Sequence, residues 1–221
     1  SIFMTPMVTE FEWSRTAISG AVSAGGLLAA IITPFIGPLV DKHGARGILC
    51  IAVFLTALCS ILLSQTTSLI MFYILFCLAR MNFAGPFDLG IYTAVNSWFI
   101  TKRPTAISIV TLVQMSGLTA MPLIAFIAMD QSDWRMGWLT IGIVIITVGF
   151  LPNLLFMCRR PEDIGLYPDG SKDNVCKHLD NKDNSKEPNF TRSQAISKPS
   201  FWLLALFTAL VFPVQAGISL H

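Results

Sequence analysis

Hydrophobic residues run through this chain in long blocks, separated by short clusters of charge. Counting His as neutral, 25 residues without charge lie between Arg15 and Asp41, 33 between Arg46 and Arg80, and 26 between Arg103 and Asp130; 23 lie between Arg135 and Arg159, and 23 follow Lys198. A bilayer core of about 30 Å is crossed by about 20 helical residues, so four of these intervals each predict one spanning helix. The longest interval contains Ser64-Gln65-Thr66-Thr67-Ser68, whose hydrogen-bonding side chains predict a reversal. The pattern therefore predicts six helices, at 16–40, 48–64, 69–99, 104–128, 136–157 and 200–221. Trp13, Trp98, Trp134, Trp138 and Trp202 all fall near proposed helix ends, where an indole ring is buried and its N–H hydrated.

Basic residues orient this pattern. The segments 41–47, 101–103 and 158–199 hold 12 of the 15 Lys and Arg, and only Arg15 and Arg135 lie on the opposite side. An excess of basic residues marks cytoplasmic loops, which places those three segments in the cytoplasm of a multi-pass protein of the plasma membrane. The segment 158–199 has 8 basic and 7 acidic residues and too little apolar content to form a core, so it reads as a flexible linker.

Composition agrees with the pattern. Of 221 residues 53% are hydrophobic and 13% charged, against about 25% charged in soluble domains. The expected class is an all-α polytopic membrane protein. Cys50, Cys59, Cys77, Cys158 and Cys176 show no metal-ligand spacing and read as packing residues. No cofactor or metal is expected. An intramembrane protease is disfavoured: G-x-S-x-G and H-E-x-x-H are absent, and His43 and His178 fall in predicted loops, with His221 at the terminus.

Charge inside a span is the feature most suggestive of chemistry. A charged side chain at mid-bilayer costs at least about 2.5–3.5 kcal/mol, so it usually faces a polar cavity or a partner. Arg80 lies about eleven residues into the predicted third helix, and Asp88 lies eight positions further on. On an α-helix that separation is about 12 Å along the axis and about 80° around it, too far for direct pairing. Tyr92 and Asn96 extend the polar face beyond Asp88, with Ala84 and Gly85 as small residues between the two charges; Asn82 falls off this stripe. Gln114 on the next helix is a candidate for the same cavity or for a bond across the bundle. A salt-bridge network that only holds the bundle together is the competing reading. Small residues Gly20, Ala24, Gly25 and Gly26 suit close helix approach, and Pro122 suits a kink.

Several of these residues also form a recognisable set. Gly37, Leu39, Asp41, Lys42, Gly44 and Arg46 resemble the signature loop between helices 2 and 3 of the major facilitator superfamily. Glu10-Phe11-Glu12-Trp13-Ser14-Arg15 is similar to the end of helix 1 in its oxalate/formate antiporter and monocarboxylate transporter-like branch, with Glu12 where that run has glycine. Arg80 resembles the arginine of the helix-4 motif. Trp98-Phe99, Lys102-Arg103 and Ala106 resemble the turn into helix 5, and Asp133-Trp134-Arg135 the start of helix 6. Arg159-Arg160-Pro161-Glu162-Asp163-Ile164-Gly165-Leu166 resembles its exit.

The resemblance implies a partial major facilitator-type bundle running from the tail of helix 1 to helix 7 of a longer protein. Its expected parts are an N-terminal bundle over 1–157, a cytoplasmic linker over 158–199 and the first helix of a second bundle over 200–221. It implies secondary transport by alternating access, with Arg80 facing the central cavity, and the polar pattern by itself adds Asp88, Tyr92, Asn96 and Gln114 as cavity candidates. Gly37, Asp41, Lys42, Gly44 and Arg46 would form the conformational loop. Expected partners are the lipid bilayer and a small anionic substrate, a mono- or dicarboxylate, with or without a coupling ion. No nucleic acid is expected, and the full-length protein is expected to be monomeric. The alternative is a transporter-fold sensor or structural module without flux. Met121 precedes Pro122 where the antiporter-type helix-5 motif has glycine, so the sequence does not support proton-driven antiport.

Overall fold

A computed structural model describes residues 2–130, 133–158, 161–167, 194, 197–203, 205–208 and 210. Among these residues the regular structure is helical throughout. The elements are α1 (Met4–Phe11), α2 (Arg15–His43), α3 (Ala45–Leu63), α4 (Leu69–Asn82), α5 (Asp88–Trp98), α6 (Arg103–Asp130), α7 (Trp134–Val144) and α8 (Leu151–Phe156). A short apolar helix, α9 (Pro199–Thr208), lies in a separate compact unit, Val175–His221. Most of the expected linker and the end of the expected sixth helix lie outside the described residues.

Five spans are long and apolar enough to cross a membrane: Arg15–His43, Ala45–Leu63, Leu69–Trp98, Arg103–Asp130 and Trp134–Phe156. They match five of the six predicted helices. Much of their apolar surface faces outward, Leu27, Ile31 and Phe35 among the exposed residues, as expected of side chains in contact with lipid.

The reversal at 64–68 is present. The amides of Ser64, Gln65 and Thr66 return to the carbonyls of Ile61, Leu62 and Leu63, and the Ser68 hydroxyl caps α4 by accepting from the Met71 amide at 3.3 Å. Ser14 caps α2 in the same way, accepting from the Ala17 amide at 3.1 Å. Such bonds satisfy orphan donors at a helix start.

The expected cytoplasmic turn at 41–47 is corrected. α2 continues through Asp41, Lys42 and His43, α3 begins at Ala45, and the break is confined to Gly44 at φ 82°. One residue in a conformation open mainly to glycine reverses the chain, while Lys42 and His43 sit favourably against the C-terminal end of the α2 dipole. His43, expected in a loop, is thus the last residue of α2. Trp134 is also corrected: it lies at its helix end, but it is buried rather than facing the headgroups.

Two spans depart from the simple α form. Between α4 and α5 the residues Phe83–Phe87 form a π turn, and Ile145–Phe150 form a second between α7 and α8. Proline lacks an N–H and its ring collides with the carbonyl four positions back. For Pro86 that carbonyl belongs to Asn82, and for Pro152 to Val148. Widening the turn relieves the collision locally. α6 runs through Pro122 without a comparable interruption.

A buried apolar cluster forms at the end where α1 meets the reversal and the start of α7. Met7, Ile18, Ala21, Leu63, Phe72, Cys77 and Trp134 form the buried cluster there, and the rings of Phe11 and Trp13 stack at 4.4 Å. α2 meets α4 along Ala17, Ala21 and Gly25, spaced four apart, beside Tyr73, Cys77 and Arg80. Gly26, expected on a close-packing face, has open space beside it. Tyr73 donates to the Ala17 carbonyl at 2.5 Å.

Asn82 joins α4 to α3. Its amide donates to the Ala52 carbonyl at 2.5 Å and to Thr56 Oγ1 at 3.1 Å, fully inside the bundle. The Thr56 hydroxyl also donates to the Ala52 carbonyl, so removing the amide leaves neither oxygen isolated. Asn82→Leu is therefore expected to cost only about 1 kcal/mol, the usual scale for a polar contact between membrane helices. Reversible unfolding in detergent would check this, and a loss several times larger would contradict it.

Candidate functional site

The first π turn aligns the two charges of the third span. With eight uninterrupted α positions Asp88 would stand about 80° round from Arg80. A single π turn absorbs one extra residue, leaving the two within about 20° of a common line. They share a face more closely than the sequence pattern predicted, still roughly two turns apart.

Arg80 makes no hydrogen bond or ion pair among the described residues. Its stem is held by the neighbouring span. A Cβ added at Gly25 would lie 2.7 Å from Arg80 Cβ, 2.9 Å from its Cγ and 3.2 Å from the Cys77 backbone. Only glycine lets α2 approach there, and that approach limits where the exposed guanidinium can stand.

Asp88 opens α5 and is half-buried. Gln114 Nε2 of α6 donates to its Oδ1 at 3.1 Å, so these two candidates, 26 residues apart in sequence, meet across the bundle. Tyr92 stands one turn beyond Asp88 and is 38% exposed. Asn96 does not join the cluster. It lies near the C-terminal end of α5, where its carbonyl accepts from Arg103 at 3.4 Å and that of Phe99 from the same side chain at 2.7 Å.

Along α6 an open concavity of about 680 Å³ is lined by Ile107, Ser108, Thr111, Leu112, Met115, Ser116 and Thr119. Its four hydroxyls each donate to a carbonyl four residues back in the same helix. Arg80 and Asp88 do not line it. Ser108, Thr111, Ser116 and Thr119 recur at helical spacing, a signal masked by the apolar residues around them.

In the signature loop, Arg46 Nη2 donates to the Leu154 carbonyl at 2.8 Å. Leu154 lies in the last turn of α8, where carbonyls lack partners within the helix, and a cation suits that end. The loop is thereby tied to the C-terminal end of the fifth span. Asp41 is exposed, Gly37 is half-buried, and Gly44 supplies the break.

A second polar cluster lies at the opposite end of the bundle, built from Glu10, Trp134 and Arg135. Arg135 donates to the carbonyls of Ser64 and Thr66, both at 3.0 Å, and to Glu10 Oε1 at 2.8 Å. Trp134 Nε1 donates to Glu10 Oε2, and the Arg135 guanidinium lies 4.5 Å from the Trp134 ring. The bond from Trp134, followed by that from Arg135, holds the Glu10 carboxyl below its ordinary value of 4.5. This cluster clasps α1, the reversal and α7 together. Its groups already satisfy one another, which makes it a structural brace.

Among the described residues no group of three or more His, Cys, Asp or Glu could hold a metal ion. Cys50, Cys59, Cys77 and Cys158 are free thiols, and Cys176 lies outside the described residues.

Residues 1–220 match the family model of the Major Facilitator Superfamily. The membrane sensor protein UhpC of Salmonella typhimurium is 28% identical over 212 residues, covering 88% of this chain and 46% of that protein. UhpC of Escherichia coli is 26% identical over 215 residues, with the same coverage. An uncharacterized MFS-type transporter of Bacillus subtilis, YcxA, is 24% identical over 160 residues, 72% of this chain and 39% of that protein. The chain thus spans less than half the length of each of these relatives. No solved structure matches it.

Proposed function

Since the chain belongs to the Major Facilitator Superfamily and forms a multi-pass helical bundle in the lipid bilayer, we propose that it is part of a secondary transporter for a small organic anion. The observation that carries this reading is Arg80, a permanent cation in a membrane span with no protein partner among the described residues. An uncompensated charge there is costly, and an anionic substrate would supply the compensation. A guanidinium matches a carboxylate through two parallel hydrogen bonds, which favours a mono- or dicarboxylate. Asp88, Tyr92 and Gln114 supply further polar groups to the same wall, with Asn96 toward the cytoplasmic end.

In this reading the substrate site is reached alternately from the two faces of the plasma membrane. Gly37, Asp41, Lys42, Gly44 and Arg46 form the conformational loop on the cytoplasmic side. The bond from Arg46 to Leu154 favours one arrangement of α3 and α8, and its release would accompany the change of access. Residues 1–157 form the first bundle, 158–199 the cytoplasmic linker and 200–221 the first helix of a second bundle.

A sensor that binds the anion without moving it is the second reading, favoured by the two relatives described as membrane sensor proteins. Counterflow separates the two. Full-length protein in proteoliposomes preloaded with lactate, oxalate or succinate is expected to exchange at least one of them with labelled external anion. Saturable binding with no exchange would favour the sensor.

A further inference from the structure

Beyond the fifth span lies a turn that neither transport nor anion sensing uses. α8 ends at Phe156, and Met157 leaves the helix in an extended conformation, at φ −77° and ψ 121°. Pro161–Ile164 then form one 3₁₀ turn. Pro161 is fully buried, which holds the start of the turn in place. The turn stops at Gly165, φ 72°, where the Leu166 amide donates back to the Pro161 carbonyl at 3.0 Å. A left-handed glycine followed by such a bond is a Schellman stop, in which the apolar residue after the glycine often packs against its own turn. Here Leu166 stays 51% exposed, with Ile164 at 51% and Tyr167 at 44%. Three large side chains within four residues thus stand outward from a backbone fixed at both ends.

We infer that Ile164, Leu166 and Tyr167 form an interfacial anchor, seated in the headgroup boundary of the phospholipid bilayer where the fifth span ends. Position argues for lipid. Leu155 and Phe156, in the last turn of a span that crosses the membrane, are themselves exposed, so the outward apolar surface continues from the span to the turn. Four residues separate Phe156 from Pro161, a reach of at most about 18 Å, which keeps the turn close to the membrane face. Tyr167 suits that boundary, because a tyrosine ring enters lipid while its hydroxyl stays hydrated. Charge contributes little. Arg159 and Arg160 are offset by Glu162 and Asp163, so apolar burial holds the segment and attraction to anionic headgroups does not. A Cβ at Gly165 would meet open space, yet any side chain there strains the backbone at φ 72°. Gly165 therefore serves the shape of the turn and no close packing. The chain beyond residue 167 leaves from the bilayer surface, in a transporter and in a sensor alike.

Full-length Tyr167→Trp protein in phosphatidylcholine nanodiscs tests this, the added emission being read as the difference from wild type. Phosphatidylcholine brominated on its acyl chains near the headgroup is expected to remove most of the added emission, and aqueous acrylamide little of it. Should Tyr167→Trp not give folded protein, Leu166→Trp reads the same face. Adding Ile164→Ser and Leu166→Ser to Tyr167→Trp should reverse the order of the two quenchers, and an unchanged loss to brominated lipid would overturn the inference. Quenching by acrylamide alone would overturn it by placing residue 167 in water. Emission reached by neither quencher would overturn it by placing the turn under protein, either the rest of the full-length chain or a second copy. Quenching by lipid that needs phosphatidylglycerol and disappears in high salt would replace the apolar anchor with an electrostatic tether, which also overturns it.

Discussion

Arg80→Ala is expected to raise the half-saturation concentration for a transported carboxylate roughly ten- to a hundredfold, since a hydrogen bond to a charged group is worth about 1.5–3 kcal/mol and about 1.4 kcal/mol is a factor of ten. The effect should be on recognition more than on folding. Arg80 makes no hydrogen bond or ion pair among the described residues, and it is the Cβ and Cγ of its stem that pack at Gly25. Arg80→Lys should fall between the two, because an ammonium retains the charge and loses the planar fork that engages both carboxylate oxygens. Measured in counterflow with lactate, oxalate and succinate, unchanged half-saturation for every exchanged anion would remove Arg80 from the substrate site.

Arg135→Ala should instead weaken the fold, with an expected loss of about 2 kcal/mol. The side chain satisfies two carbonyls of the reversal and the Glu10 carboxylate together, and truncation leaves those acceptors without their donor. Its 31% side-chain exposure lets water replace part of what is lost, which keeps the figure below the sum of three charged hydrogen bonds. Denaturant unfolding in detergent micelles should show the change, and a shift indistinguishable from zero would demote the clasp to an incidental contact.

The same clasp carries a pH dependence. Glu10 is held below its ordinary value of 4.5 by Trp134 and then by Arg135. Its contribution to stability is therefore fully present above that value. It is lost as the pH falls through the lowered one, where the folded form must bind the proton it resists. Glu10→Gln should flatten this acid limb. An acid limb of unchanged steepness in the variant would show that other carboxylates govern it.

The two polar clusters show how far the sequence could be read. The intervals between charges located five spans, because the bilayer thickness sets helix length and any charge inside a span is conspicuous. Arg80 and Asp88 were legible for that reason. Gln114 was legible only as a candidate, since an uncharged polar residue suits a cavity or an interhelical bond equally well. Asn82 was placed off the polar stripe and is buried against α3. Glu10 and Arg135 were visible as motif residues, but their meeting joins positions 125 apart, and no local pattern records such a contact.

Gly37-Pro38 and Gly85-Pro86 make the limit concrete. The dipeptide is the same, yet α2 continues through the first and a π turn forms at the second. Gly85 and Pro86 are buried, with Thr33 of α2 beside Gly85, whereas Pro38 is exposed. The sequence by itself determined the class, the five described spans, the reversal at 64–68 and the presence of two charges in one span. Burying or excluding charge in a bilayer depends on residue type and order along the chain. The tertiary structure alone decided that Asp88 meets Gln114, that Arg80 stands on the same face without a partner among the described residues, and that Arg46 reaches Leu154. Those facts depend on helix phase and on which spans touch, and a single π turn changes the phase by about one residue without leaving a mark in the pattern of hydrophobic positions.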